Sequence, residues 1–136
     1  MIQRTFVIFA LVISGILLIQ ACGEGEQQTQ TEVKELTGKQ FQQQKEQQAG
    51  VIIDVRTQEE YDNGHLAEVD RHYNLLNGDF EAQLDSLEKD ETYYLYCRSG
   101  NRSEKAAKLM IDQGFEKVYN IGGFQDLVDA GVESKK

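Results

Sequence analysis

The stretch YYLYCRSGNRSEKAAKLM, residues 93–110, decides how the central part of this chain folds. Its first residues are aromatic or apolar and favour a β-strand that ends at Cys97. From Ser103 onward, alanine, leucine, lysine and methionine favour an α-helix, which Gly114 ends. The polar residues between them contain Gly100, which suits a tight turn. The stretch therefore predicts a strand–loop–helix unit with a cysteine at the end of the strand.

Strands and helices alternate on both sides of this unit. The β-branched run VIIDV, residues 51–55, predicts a strand buried on both faces, and KVYNI, residues 117–121, predicts another. Capping boxes at residues 37–40 and 57–60 mark the starts of two helices. Further helices are predicted at residues 80–87 and 124–130. This alternation predicts an α/β fold with a mostly parallel sheet.

The N-terminal residues have a different composition. Residues 1–21 carry a single charge, Arg4, and then an apolar run of 14 residues, shorter than the roughly 20 of a membrane-spanning helix. This pattern is typical of a secretory signal peptide. The segment LLIQAC, which ends at Cys22, resembles a bacterial lipobox, although Gln20 departs from the small residue usual there. We therefore expect lipid on Cys22; an uncleaved anchor helix and a plain signal peptide are the alternatives.

The sequence thus predicts three parts. Residues 1–21 are the lipoprotein signal peptide, residues 22–31 are the lipidated cysteine and a polar, flexible tether, and residues 32–136 are the folded domain. A lipid anchor holds a domain at a membrane surface without spanning the membrane. The expected location is the bacterial cell envelope, on its periplasmic or surface side.

The charge and the cysteine count restrict the possible partners. The formal net charge is −9, which argues against nucleic acid and repels an anionic substrate unless local positive charge attracts it. The chain contains two cysteines. If Cys22 is bonded to lipid, Cys97 is the remaining free thiol and no internal disulfide can form.

The loop after Cys97 has the composition of an anion cradle. A glycine-bearing turn points backbone N–H groups inward, and the start of the following helix adds more N–H groups and a positive dipole end. A cysteine there forms a thiolate easily, so we expect its pKa to be lowered. Arg98 and Arg102 add positive charge at the same place. The alternative is a buried core cysteine beside two solvated arginines.

With DVRTQEEYDNGH upstream and GFEKVYNIGGF downstream, CRSGNRS resembles the motifs of a single-domain rhodanese, a thiosulfate or related sulfurtransferase. The resemblance covers roughly residues 32–132. It implies a parallel five-stranded sheet flanked by helices, in which the loop cysteine accepts a sulfane sulfur as a persulfide and passes it to a thiol or to cyanide. The chain departs from the family after residues 64–66, where a proline is usual, and after the Gly-Gly pair, where a tryptophan is frequent.

The resemblance also implies roles for the loop residues. Cys97 would be the nucleophile, and Ser103 would open the helix behind it. The residues implied to surround the persulfide are Arg98, Ser99, Gly100, Asn101 and Arg102. We expect Arg98 to face the incoming donor and Arg102 to fold back towards Asp54.

Asp54, Arg56 and His65 are candidate supporting residues. Asp54 would hold a loop arginine, as the resemblance implies, or form a surface ion pair with Arg56. His65 would fix a turn through hydrogen bonds or act as an acid or base. Two separated histidines and one free cysteine give no spacing for metal ligands, so neither a metal nor another cofactor is expected.

The expected partners are a small sulfur-containing anion as donor, a thiol or a protein as acceptor, and a membrane through the lipid. Two other functions stay open. Cysteine phosphatases and arsenate reductases also cradle an anion, in a Cys-x5-Arg loop, whereas here four residues separate Cys97 from Arg102. The domain could also carry persulfide or sense oxidants without catalysing transfer.

Overall fold

The computed structural model describes residues 32–136. Its strands are β1 (Lys34–Glu35), β2 (Val51–Asp54), β3 (His65–Leu66), β4 (Arg71–His72), β5 (Thr92–Cys97), β6 (Lys117–Gly123) and β7 (Ser134–Lys135). Five of them form a sheet in the order β1-β6-β5-β2-β4, and all neighbouring strands run parallel. Strands β3 and β7 form a separate antiparallel pair. The predicted α/β fold with a mostly parallel five-stranded sheet is confirmed.

The helices are α1 (Gly38–Gln47), α2 (Gln58–Asp62), α3 (Asp79–Gln83), α4 (Asn101–Asp112) and α5 (Phe124–Asp129), with a 3₁₀ turn at Leu84–Ser86. Both predicted capping boxes are present. Thr37 caps α1 and Thr57 caps α2. In each box, the side chain of the third helical residue accepts a hydrogen bond from the backbone N–H of the threonine. These local signals therefore set where the two helices begin.

The core lies on both faces of the sheet, and β5 contributes to each. Its odd-numbered residues from Tyr93 to Cys97 belong to one hydrophobic cluster, together with buried residues of α4. Its even-numbered residues, Tyr94 and Tyr96, belong to the other cluster, with residues of α1 and α5. This alternation follows from the period of two in a strand. It directs the Cys97 side chain towards α4.

Some boundaries differ from the sequence expectations. Helix α4 begins at Asn101, two residues before the predicted start, because Gly100 adopts φ +95° and lets the chain turn into the helix at once. Strands β1 and β7 have two residues each and were not predicted.

The predicted signal peptide, the tether up to residue 31 and Cys22 lie outside the described residues. Between residues 32 and 136, none of the helices combines the length and the apolar character needed to cross a membrane.

Candidate active site

Cys97 lies at the carboxyl end of β5, the central strand of the five-stranded sheet, between β6 and β2. Its side chain is completely buried. The Gly100 N–H donates to its sulfur at 3.0 Å, and the Ser103 hydroxyl lies 3.4 Å from the same atom. The loop therefore curls around the sulfur, and the first turn of α4 completes the enclosure.

This arrangement favours the thiolate. Burial raises the pKa of the Cys97 thiol, but the Ser103 side chain and the backbone groups of Ser103, Ser99 and Gly100 outweigh burial and leave the pKa below its ordinary value. Hydrogen bonds to a charged group stabilise it more than they stabilise a neutral one. The loop thus has the donors that an anionic sulfur needs.

The Gly-Gly pair at the end of β6 allows the loop to lie this close. A Cβ on Gly123 would meet the Arg98 carbonyl oxygen at 2.6 Å and the Ser99 Cα at 3.2 Å. A Cβ on Gly100 would likewise contact Gly122 at 3.4 Å. A side chain at Gly123 would displace the loop, because real Cβ atoms do not approach other atoms this closely. At Gly100 the contact is an ordinary one, and glycine is favoured there by the φ of +95°.

Arg102 is paired with Glu60 and not with Asp54, so the expected contact is wrong. Both guanidinium–carboxylate distances are 2.8 Å, and the pair joins the first turn of α4 to α2. The bond from Arg102 lowers the pKa of Glu60 to about 2. The expectation failed because Asp54 already has a nearer partner, two residues along its own chain.

That partner is Arg56. Asp54 accepts hydrogen bonds from the Arg56 backbone and side chain at 2.6–3.0 Å, and both side chains are buried, so the pair is not a surface ion pair. Arg56 also donates to the Gly64 carbonyl at 2.8 Å, and its guanidinium lies over the rings of Tyr96 and Phe124. The pair therefore stabilises the side of the site that contains Gly64, Tyr96 and Phe124, which we call the wall.

The remaining loop residues face outward. Arg98, Ser99 and Asn101 are exposed. Arg98 lines a cavity of about 300 Å³ together with Arg56 and Phe124, among others. In the salt bridges among residues 32–136, Arg98 takes no part, so it is the loop cation whose charge is not neutralised by a nearby carboxylate.

His65 lies beside α2. Its Nδ1 is 3.2 Å from the Tyr61 carbonyl, and its ring stacks on Tyr61 at 4.0 Å. His72 stacks on the opposite side of Tyr61, at 4.3 Å, and its Nε2 contacts the Arg56 carbonyl at 2.9 Å. His65 therefore packs against Tyr61 and has a structural role at the edge of the wall.

Two residues of the site were not singled out from the sequence. Glu60 was identified only as part of a capping box, and Asn120 only as a letter of KVYNI. A topological signal for Asn120 existed, because it lies near the carboxyl end of a strand next to the one that carries Cys97. Nothing in the sequence pattern indicated that Glu60 reaches Arg102.

Curated relatives of this chain include proteins named for sulfur transfer. YrkF of Bacillus subtilis (strain 168), named as a candidate sulfur carrier protein, is 33% identical over 100 residues, which are 73% of this chain and 52% of YrkF. The thiosulfate sulfurtransferase GlpE of Coxiella burnetii (strain RSA 331 / Henzerling II) is 33% identical over 76 residues, which are 55% of this chain and 68% of GlpE. The chain therefore spans about half the length of YrkF.

Solved structures give the same picture of the fold. The rhodanese-like domain protein from Staphylococcus aureus matches with a TM-score of 0.63 and 28% identity, over 76% of this chain and 100% of that one. The family model described as the rhodanese-like domain matches residues 30–130, which include the whole five-stranded sheet and the Cys97 loop. The chain belongs to the family of rhodanese-like domains.

Proposed function

We propose that this protein is a sulfurtransferase in which Cys97 carries a sulfane sulfur as a persulfide. The observation that supports it most is the enclosure of the Cys97 sulfur by the Gly100 N–H at 3.0 Å and the Ser103 hydroxyl at 3.4 Å. Such donors stabilise a thiolate, which is the nucleophilic form of cysteine. Sulfurtransferases and a sulfur carrier among the relatives agree with this chemistry.

The first half-reaction loads the sulfur. The Cys97 thiolate attacks the outer, sulfane sulfur of thiosulfate or a related donor and forms a new S–S bond. The S–S bond of thiosulfate breaks, and sulfite leaves with the bonding electron pair. Cys97 then carries a persulfide anion, whose outer sulfur holds the negative charge, and no external oxidant or reductant is needed.

The second half-reaction transfers the sulfur. A thiolate acceptor, or cyanide, attacks the outer sulfur of the persulfide. The bond between the two sulfurs breaks, a new persulfide or thiocyanate leaves, and the electron pair returns to Cys97 as thiolate. The N–H and hydroxyl donors then stabilise the sulfur that bears the charge at the end of the cycle.

Capture of an anionic donor has to overcome the acidity of the protein, whose net charge is −9. Arg56 and Arg102 are each neutralised by a carboxylate. Arg98 is exposed and lines the cavity beside the loop. We therefore assign donor capture to Arg98 and to the N–H groups at the start of α4.

We further propose that lipid on Cys22 anchors the domain in the bacterial cell envelope. The support is the apolar segment that ends in LLIQAC and the polar tether after it. Growth with radioactive palmitate should label the wild-type chain and leave Cys22→Ser unlabelled. Equal labelling of both would refute the anchor.

The proposed activity is tested by intact-mass measurement of the full chain, purified in detergent, after incubation with thiosulfate. The mass should increase by one sulfur atom, and cyanide should remove that atom as thiocyanate. Cys97→Ser, which still contains Cys22, should gain nothing. An unchanged wild-type mass with several donors would contradict the proposal.

Two further measurements separate the alternatives. Repeated turnover with thiosulfate and cyanide indicates an enzyme, whereas a single round of loading indicates a carrier or a sensor. Hydrolysis of an aryl phosphate, or reduction of arsenate by added thiols, without sulfur loading would favour the phosphatase or reductase alternative.

A further inference from the structure

Asn120 lies near the end of β6, beside the cysteine loop. Its side chain is buried, with 4% of its surface exposed. It lies on the same face of the sheet as Cys97, because Val118, two residues earlier, belongs to the hydrophobic cluster that contains Cys97. In the ladder it is opposite Leu95 of β5. Asn120 therefore faces α4, the helix that follows the loop.

The hydrogen-bonding groups of the Asn120 amide are all occupied. Its Oδ1 accepts from the Ser103 hydroxyl at 2.7 Å and from the Gly122 N–H at 3.1 Å. Its Nδ2 donates to the Gly100 carbonyl at 3.1 Å and to a Glu35 carboxylate oxygen at 3.4 Å. A backbone N–H only donates and a carbonyl only accepts, so Gly122 and Gly100 together fix which way the amide faces.

A β-bulge aims the amide at the loop. Leu95 pairs with Asn120, but Tyr96 pairs with Gly122, so Ile121 is the extra residue of β6. Bulges commonly redirect side chains near active sites. The bond between Asn120 Oδ1 and the N–H two residues later closes an Asx turn that stabilises this bend. The backbone of β6 is therefore shaped to present this side chain.

Asn120 forms hydrogen bonds with two residues, Gly100 and Ser103, that themselves contact the Cys97 sulfur. It binds the carbonyl of Gly100, whose N–H donates to the sulfur, and the hydroxyl of Ser103, which lies 3.4 Å from the sulfur. Among residues 32–136, no other side chain forms hydrogen bonds with both the Gly100 carbonyl and the Ser103 hydroxyl.

The Ser103 hydroxyl has one hydrogen but three acceptors within reach. These are Asn120 Oδ1 at 2.7 Å, the Gly100 carbonyl at 3.0 Å and the Cys97 sulfur at 3.4 Å. The Gly100 carbonyl has two lone pairs and accepts from both the Asn120 Nδ2 and the hydroxyl, so the hydroxyl can turn its hydrogen to any of the three acceptors. A thiolate attracts that hydrogen more strongly than a neutral thiol does.

We propose that Asn120 is a positioning residue for sulfur transfer, which holds the backbone of Gly100 and the Ser103 hydroxyl where they stabilise the negative charge of Cys97. The catalytic meaning of this role rests on the proposed function. The positioning itself concerns only the stability of the Cys97 thiolate and can be measured without any sulfur donor.

The test is Asn120→Leu in the full chain, since leucine has nearly the shape of asparagine without its hydrogen bonds. Without the amide, the Gly100 carbonyl loses the Nδ2 donor and the Ser103 hydroxyl loses its Oδ1 partner, so neither residue is held as firmly beside the sulfur. The Cys97 pKa should therefore rise by about one unit, measured from the pH dependence of iodoacetamide alkylation of the peptide that contains Cys97. With thiosulfate, kcat should fall about tenfold and KM should change little.

Val118→Ala is the matched control, because Val118 is a buried residue of the same strand and the same face. It should lower the melting temperature and leave the Cys97 pKa and kcat unchanged. In a Ser103→Ala background, Asn120→Leu should raise the Cys97 pKa by less than in the wild type, since the hydroxyl route is gone. All variants keep the charged groups around the loop, among them Arg56, Arg98, Arg102, Glu35, Glu60 and Glu104.

If Asn120→Leu does not fold, Asn120→Asp replaces it, because aspartate keeps both accepted bonds and turns only the donor into an acceptor. It should raise the Cys97 pKa further, through its charge and through repulsion of the Gly100 carbonyl. An unchanged or lowered pKa in the folded variant would overturn the proposal. A raised pKa in a protein that takes no sulfur from any donor would support the positioning and refute the proposed function.

Discussion

Arg102 and Glu60 form a bidentate ion pair that joins the first turn of α4 to α2, with both distances at 2.8 Å. Glu60 also accepts from the backbone and hydroxyl of Thr57, so one carboxylate serves the cap of α2 and the helix behind the cysteine. The helix that carries the Cys97 cradle is therefore tied to a second element of the wall.

The two partners should affect Cys97 in opposite directions. Arg102→Ala removes a positive charge near the sulfur, so the Cys97 pKa should rise and kcat should fall. Glu60→Gln keeps the capping box but leaves Arg102 unneutralised, so the Cys97 pKa should fall while kcat still decreases, because the helix is less firmly placed. Alkylation against pH measures both shifts; shifts of equal sign would contradict this account.

Acid should remove the stabilisation that Glu60 provides. Its pKa is lowered to about 2 in the folded protein, chiefly by the bond from Arg102, against 4.5 for an ordinary glutamate. A carboxylate whose pKa is lower in the folded than in the unfolded protein stabilises the fold fully at pH values above the unfolded-state pKa. That stabilisation is lost as the pH falls through the folded-state pKa. The difference in urea midpoint between wild type and Glu60→Gln should be full at pH 7 and shrink between pH 4.5 and 2.

Glu59→Gln is the control for this titration, because Glu59 lies one residue earlier on α2, is exposed, and has no ion pair among the described residues. At pH 7 its urea midpoint should differ little from that of the wild type, because no ion pair is lost. A Glu60→Gln difference that stayed constant down to pH 2 would show that the pair adds no stability.

Arg98 should act on donor capture. Arg98→Ala removes the exposed cation beside the cavity, so KM for thiosulfate should increase several-fold, its salt dependence should weaken, and kcat should change little. Arg98→Lys should restore much of the salt dependence. Arg71→Ala changes the net charge equally on an exposed edge strand and should leave KM unaltered. A purely kcat effect of Arg98→Ala would reverse the assigned roles.

Removing one member of the buried Asp54–Arg56 pair should destabilise the fold more than expected from the loss of one side chain alone. Asp54→Asn leaves the Arg56 cation buried without its carboxylate and should destabilise the fold by about 3–5 kcal/mol, measured by urea unfolding. The double variant Asp54→Asn, Arg56→Met should lose less than the sum of the two single variants. A loss below about 1 kcal/mol for Asp54→Asn would mean that the pair behaves like an exposed one.

Gly123→Ala tests how closely the loop must approach β6. Gly123 has φ −94°, which any residue adopts. The alanine is therefore unfavourable only because its Cβ would clash with the Arg98 carbonyl oxygen at 2.6 Å. We expect a displaced loop, with kcat reduced at least tenfold and a raised Cys97 pKa. Gly78→Ala is the control, because Gly78 has φ +86° with nothing near a Cβ, so only stability should fall, by about 1 kcal/mol. Unchanged kcat in Gly123→Ala would contradict this.

Local signals predicted most of the fold. The β-branched and aromatic runs located β2 and β5, and the threonine caps located α1 and α2, because propensity and capping depend on neighbours in the chain. Strand β1 could not be predicted in this way. It is a two-residue strand held by pairing with Tyr119 and Asn120 of β6, and such pairing depends on tertiary contacts.

The site was less predictable than the fold. The cysteine and its loop are contiguous in sequence, so their type and spacing already indicated an anion cradle. The partners of the two arginines are not contiguous. Arg102 finds Glu60 forty-two residues away, and Asp54 is occupied by Arg56 because the chain bends back within two residues. Which carboxylate meets which guanidinium is decided by how α2 lies against α4.

The complete burial of Cys97 has a kinetic consequence. A reagent can meet the sulfur only while the loop has moved aside, so an observed rate is the intrinsic rate of the exposed thiolate multiplied by the fraction of open molecules. The ratio of alkylation rates in the native and urea-unfolded chain, corrected for thiolate content, measures that fraction. Narrow donors need a smaller opening than wide ones, so the loop would select between equally reactive donors by their width.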